Sequence, residues 1–244
     1  AKYRYLAEHS RAFAGMIAMR EGDRVRIGEQ PFLLNYVSGN YFSVLGVAME
    51  RGRGFLPEED RTGAPQAVVV LSYSTWRNRF GGDPAILGTT LRLDDVPFTV
   101  VGVAAREFTG TNPQRNDFWT PFPARALLRP QDPNVMAFLT RTDYCCSPMA
   151  GRLAPGYTRA QAAAEVALLL KHFPGGTDPD RSETDRSQTG RSETDRSETI
   201  LLTGTALMDP PSRNRDHAAP IVGLLFLAIT LVLLLACANV GNLL

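Results

Sequence analysis

Residues that usually carry chemistry are scarce in this chain. Three cysteines, three histidines and two tryptophans are spread over 244 residues, and the formal net charge is only +1. A balance so close to neutral gives no broad electrostatic argument for nucleic acid or for acidic substrates. No C-x-x-C spacing joins Cys145, Cys146 and Cys237, so zinc-ribbon and thioredoxin-like readings fail. An odd count provides no disulfide framework. The adjacent Cys145 and Cys146 are left reduced, joined to each other, or bridged to another chain. His9, His172 and His217 have no metal-ligand spacing, and the first two fall on helical stretches beside polar positions, as solvated histidines do.

Catalytic signatures are missing as well. There is no G-x-x-x-x-G-K-[ST], so the chain itself does not cradle ATP in a P-loop. G-x-S-x-G, H-E-x-x-H and S-x-x-K are also absent. A membrane-tethered hydrolase is set aside because no nucleophile and base come together in the pattern. The expectation is a non-enzymatic chain with no cofactor and no metal. Glu58, Glu59 and Asp60 follow Pro57 at what reads as a helix start, where acidic side chains suit the helix dipole. Trp76 and Trp119 read as core or interface anchors. The basic residues of WRNRF are spread around a short helix and form no nucleic-acid stripe.

What the chain does have is a long apolar run. Residues 220–244 hold no charged side chain. At about 1.5 Å of rise per residue they exceed a bilayer core of about 30 Å, so a transmembrane helix is expected over 218–244. Its last third changes character. Ala236, Ala238 and Gly241 let helix backbones approach closely, and Asn239 and Asn242 need amide partners inside lipid. These five residues are the candidate helix-packing surface, and they favour a polytopic protein over a single tail anchor. Arg213, Arg215, Asp216 and His217 precede the helix with no second flank for comparison, so charge does not orient it. Residue 1 is Ala, and the residues after it lack the basic start and short apolar stretch of a signal peptide. Together with the apolar end, this leads us to expect a piece of a longer protein.

The remainder reads as an α+β domain over 1–210. Leu6, Phe13, Met16 and Ile17 fall on one helical face of YRYLAEHSRAFAGMIAM. Strands are expected at 25–27 and 32–37, then a short helix capped by Asn40 and closed by Gly46. Gly52 and Gly54 mark a turn. AVVVLS reads as a strand, with Ser72 capping YSTWRNRF and Gly81-Gly82 ending it. Asp83-Pro84 starts another short helix that ends near Gly88. TLRLDDVPFTVVGVA reads as a hairpin turning at Asp94-Asp95. Residues 109–148 are loop-rich, with six prolines. Thr158 and Gln161 form a capping box for RAQAAAEVALLLKHF, with Leu153, Val166, Leu169 and Leu170 as its apolar surroundings and Pro174 after it. Residues 178–199 are a low-complexity insertion of DRSET variants with nothing to bury, read as a solvated tract.

VSGNYFSVLGV, RGRGFLPEEDR, AVVVLSYSTWRNRFGGDPAILGTTLRLDDVPFTVVGVA and LLLACANVGNLL together resemble the MacB-like periplasmic core domain joined to an FtsX-like permease segment. Such chains are permease subunits of ABC transporters. The likeness runs from Tyr3 to about Thr111, resumes at GRLAPGYTRAQAAAEV and returns at the apolar end. The DRSET tract and the Cys145-Cys146 pair stand outside the family pattern. The resemblance implies a bacterial cytoplasmic (inner) membrane protein with residues 1–217 extracytoplasmic. It implies a separate or fused cytoplasmic ABC ATPase as partner, a permease homodimer or heterodimer, contact with membrane lipid, and a periplasmic partner. Nucleic acid has no place in it. It implies mechanotransmission, with ATP hydrolysis in the cytoplasm moving the outer domain to drive export or handle periplasmic substrates. The alternative expectation is a membrane-anchored sensor or assembly module that binds a periplasmic partner without an ATPase.

Overall fold

Val68–Leu71 is buried at all its positions, the pattern of a strand covered on both faces. In the computed structural model this strand, β4, lies between a parallel and an antiparallel neighbour. The structure describes residues 2–111, 116–140 and 147–174. In chain order these form α1 (Lys2–His9), β1 (Phe13–Ile27), β2 (Gln30–Val37), α2 (Tyr41–Leu45), β3 (Met49–Gly52), β4, α3 (Tyr73–Arg79), β5 (Thr90–Leu93), β6 (Val96–Ala104), β7 (Phe118–Pro121), α4 (Arg125–Leu128), α5 (Pro133–Thr140), β8 (Met149–Leu153) and α6 (Arg159–Lys171). The sheet order is β3-β6-β4-β7-β2-β1-β8, with β5 paired to β6. β2 with β7 and β4 with β6 are the parallel pairs. The fold is mixed α+β, as expected.

Local chemistry accounts for most of the turns. Ser72 Oγ accepts the Thr75 amide proton and caps α3, and Gly46 closes α2 in the left-handed conformation. Asp94 and Asp95 both take positive φ, 45° and 66°, so they form the tight turn between β5 and β6. Thr158 and Gln161 complete the capping box of α6. Trp76 and Trp119 are both buried. Trp119 joins Phe42 and Phe108 in an aromatic cluster with ring centroids 5.7 and 5.5 Å away.

Three expectations are corrected, and a fourth is extended. The opening helix stops at His9, and Phe13, Met16 and Ile17 belong to the fifteen-residue β1. Spacings of three and four fit a helix, yet strand pairing wins: β8 takes the first half of β1 and β2 the second. Gly15 also requires this path, since a Cβ there would sit 2.9 Å from Val44 Cγ2. Asn40 precedes α2, but its side chain does not cap it. The loop-rich reading of 109–148 hides β7, a fully buried strand ending on a proline. Glu58, Glu59 and Asp60 do follow Pro57 in the first turn of a 3-10 helix, Pro57–Asp60, as expected, and two of them have further partners. Glu59 is buried and accepts from both guanidinium nitrogens of Arg53 at 2.7 and 2.9 Å and from the Leu56 amide. Asp60 accepts from the Gly39 amide.

Candidate functional site

The beginning and the end of the described chain meet. Leu6 of α1, Met16 of β1 and Val166 of α6 form one buried cluster, with Tyr3, Phe13, Leu169 and Leu170 packed against it. Tyr5 stands edge-on to Phe173 at 5.2 Å, and its hydroxyl approaches the His172 carbonyl at 3.5 Å. Further along the chain, just past α1, Ser10 reaches back to Glu165 instead. The two helices are therefore antiparallel, and residues 2 and 174 lie at the same end of the pair.

One carboxylate fastens the pair. Glu165 Oε2 accepts from Ser10 Oγ at 2.7 Å and from the Ala12 amide at 2.8 Å, while Oε1 accepts from the Arg11 amide at 2.9 Å. Burial pushes its pKa up, but these three donors and the Arg11 charge outweigh it and hold the group below the ordinary carboxylate range. Glu165 thus fixes the turn where α1 becomes β1 to the middle of α6.

The other side of α1 is tied to the Ser38-Gly39-Asn40 turn. The Tyr3 hydroxyl lies 3.0 Å from both the Met16 carbonyl and Asn40 Oδ1, and Asn40 Nδ2 donates to the same carbonyl at 2.9 Å. Asn40 is spent on this junction, which is why it does not cap α2. Burial raises the Tyr3 pKa, and burial likewise raises that of Asp60, the acceptor for Gly39. Only glycine fits at 39, because a Cβ would approach Asp60 Cβ to 2.8 Å. Arg4 donates to the Asp60 carbonyl and to Thr62 Oγ1. Between α1 and residues 55–63 lies a groove of about 560 Å³ whose lining includes Tyr3, Arg4, Asn40, Phe55, Asp60 and Arg61.

The predicted packing residues Ala236, Ala238, Asn239, Gly241 and Asn242, the helix 218–244, the 178–199 tract and Cys145-Cys146 all lie outside the described residues. Among the described residues no helix is long and apolar enough to cross a membrane. No group of three His, Cys, Asp or Glu among them could hold a metal ion. His9 and His172 are exposed, each with Nδ1 2.9 Å from the carbonyl four residues earlier. Sequence reasoning missed Glu165, although a single acid amid the apolar run AAAEVALLL was a visible signal. It also missed Asp117. That buried carboxylate accepts from Thr75 Oγ1 at 2.6 Å and the Leu33 amide at 2.9 Å, joining α3 to β2.

The family model of the MacB-like periplasmic core domain matches residues 3–169, from α1 into α6. The chain belongs to that family. A macrolide export ATP-binding/permease protein MacB of Burkholderia thailandensis is 33% identical over 91 residues, which cover 37% of this chain and 14% of that protein. A MacB of the same description from Paracoccus denitrificans is 39% identical over 74 residues, 30% of this chain and 11% of its own length. The alignments thus span only a small part of either relative. The crystal structure of the periplasmic region of MacB from Actinobacillus actinomycetemcomitans superposes with a TM-score of 0.50 at 18% identity. That superposition covers 70% of this chain and 72% of that one. At this identity the likeness is one of fold, and it places the MacB-like α+β architecture on this chain.

Proposed function

We propose that this MacB-like domain is the extracytoplasmic part of an ABC transporter permease subunit, and that it works as a moving body with no catalysis of its own. In this reading residues 1–210 stand outside the bacterial inner membrane. Residues 218–244 cross it as the start of an FtsX-like permease, with Ala236, Ala238, Asn239, Gly241 and Asn242 facing neighbouring helices. A cytoplasmic ATPase, separate or fused, drives the motion, and a second permease chain completes the assembly. The names of the relatives, export ATP-binding/permease proteins, support the ATPase partner.

The observation that carries the reading is the antiparallel α1–α6 pair held by Glu165. Displacement arriving at either helix is passed to the other and to β1, so the domain shifts as a unit. The test uses the complete permease with its ATPase in nanodiscs. With the native cysteines replaced by serine, a probe on Glu29→Cys, exposed at the β1–β2 turn, reports distance to a labelled lipid headgroup with ATP and with ADP. A nucleotide-dependent change is expected. An unchanged distance, with no ATPase co-purifying, would leave an anchored binding module and overturn the reading.

A further inference from the structure

The arginines of this domain divide by what their guanidinium groups do. Arg4, Arg53, Arg129 and Arg152 donate to acceptors within the chain. Arg51, Arg77 and Arg106 are exposed and stack on aromatic rings instead. Arg51 and Arg77 lie 5.4 and 5.8 Å from the Trp76 ring, and Arg106 lies 5.8 Å from Tyr73. Tyr73 and Trp76 pack edge-on at 5.6 Å, so the three cations gather at one aromatic pair, the floor of this face.

The floor is itself rigid. Trp76 Nε1 donates to the Asp83 carbonyl at 2.9 Å, and the Gly82 amide donates to the Trp76 carbonyl. Gly82 has φ +68°, and a Cβ there would collide with the Arg77 side chain. Leu87, 37% exposed, sits against Gly52 beside Arg51 and adds an apolar neighbour. No ion pair among the described residues engages the three arginines. β3 is bulged between Met49 and Arg51, and the exposed Glu50 next to Arg51 makes no ion pair with it. Asp83 spends Oδ1 on capping the Ala85 amide. Glu50, Asp83 and Glu107 are the exposed carboxylates close in sequence to these groups, and none of them is ion-paired with the three arginines among the described residues.

We propose that this face, built from α3, the end of β3 and the turn after β6, docks an acidic segment of a partner protein. Each guanidinium rests near an aromatic ring and takes part in none of the ion pairs among the described residues, which leaves its N–H donors for a carboxylate. Arginine and aromatic residues around an apolar centre are the composition of binding hot spots. The face belongs to β3, at the opposite end of the sheet order from β8, and so leaves the α1–α6 pair unobstructed. This proposal rests on the reading of the domain as extracytoplasmic, which fixes where the partner is met.

The test measures binding of a fluorescent poly(Glu,Tyr) copolymer to the full chain in zwitterionic nanodiscs, without ATPase, so its outcome is independent of transport. Arg51→Gln, Arg77→Gln and Arg106→Gln together should weaken binding by at least about tenfold. Removing three exposed arginines elsewhere (Arg24→Gln, Arg26→Gln and Arg92→Gln) lowers the net charge equally and should change it less than about twofold. Lysine at 51, 77 and 106 should give an intermediate loss. Equal losses in the two glutamine variants, or full binding by the lysine variant, would reduce the effect to net charge and overturn the proposal. So would loss, on the same three arginines, of binding to phosphatidylglycerol vesicles but not to the copolymer, which would make the occupant a membrane surface.

Discussion

Glu165→Ala removes the fastening between α6 and the α1–β1 turn while touching little else. Three hydrogen bonds to a carboxylate are lost, at 2.7, 2.8 and 2.9 Å. Hydrogen bonds to charged groups contribute about 1.5–3 kcal/mol when well buried. Glu165 is half-exposed, so about 1 kcal/mol for each of the two backbone amides is the fitting scale, with Ser10 turning to water at little cost. The sum, about 2 kcal/mol, corresponds to a roughly 30-fold rise in the open population of this turn. Hydrogen exchange on the full chain reads it directly. The Arg11 and Ala12 amides should exchange tens of times faster in the variant, while Val69 and Val70 in β4 keep their wild-type rates. Glu165→Gln retains one carbonyl oxygen and should fall between the two. Exchange at Arg11 and Ala12 within twofold of wild type would refute the reasoning, because those amides would then have another acceptor or none that matters.

Two carboxylates should oppose each other in their dependence on pH. The lowered pKa of Glu165 means that its contribution is in place at neutral pH. It is lost as pH falls below the ordinary glutamate value of about 4.3 and on through the lower native value. Asp60 is raised by burial, so its contribution is present at low pH and is lost as pH rises through the native value; Asp60→Asn should gain in melting temperature over wild type as pH increases. Trp119→Ala should cost about 3–5 kcal/mol in a denaturant titration, given its full burial against Phe42 and Phe108. Gly102→Ala should destabilise more than Gly28→Ala. A Cβ at 102 runs into the Arg53 carbonyl, whereas Gly28, at φ +58°, faces open space and costs about 1 kcal/mol. Gly241→Leu, under the permease reading, should lower the amount of ATPase that co-purifies with the chain.

Features set by neighbours in sequence were legible from the sequence alone. The Thr158–Gln161 box, the Ser72 cap, the Asp94-Asp95 turn and the AVVVLS strand each depend on a few adjacent residues and stand where the sequence placed them. The candidate site was not legible in the same way. Glu165 meets its partners 153 to 155 positions away, a separation that no local pattern encodes. β7 was hidden because prolines surround it, and its pairing with β2 and β4 comes from distant segments. FAGMIAM satisfies helical spacing and strand pairing alike, and only the presence of β8 and β2 on either side of β1 decides between them. Asn40 misled for a related reason. A side chain suited to capping was taken by its neighbour Ser38 and by Tyr3 and Met16, which arrive from elsewhere in the chain.

The antiparallel course of α1 and α6 also sets how this domain answers to pulling. Residues 2 and 174 lie at one end of the pair, so a common push or tug on both travels along the two axes together and leaves the contacts between them intact. Drawing them apart is different. The stress then falls first on Tyr5 and Phe173 at the open end, and the contacts give way one after another towards Glu165, as teeth part in a zip. Stiff to axial displacement and soft to splaying, the same pair of helices can act as a push-rod in one direction and as a fuse in the other.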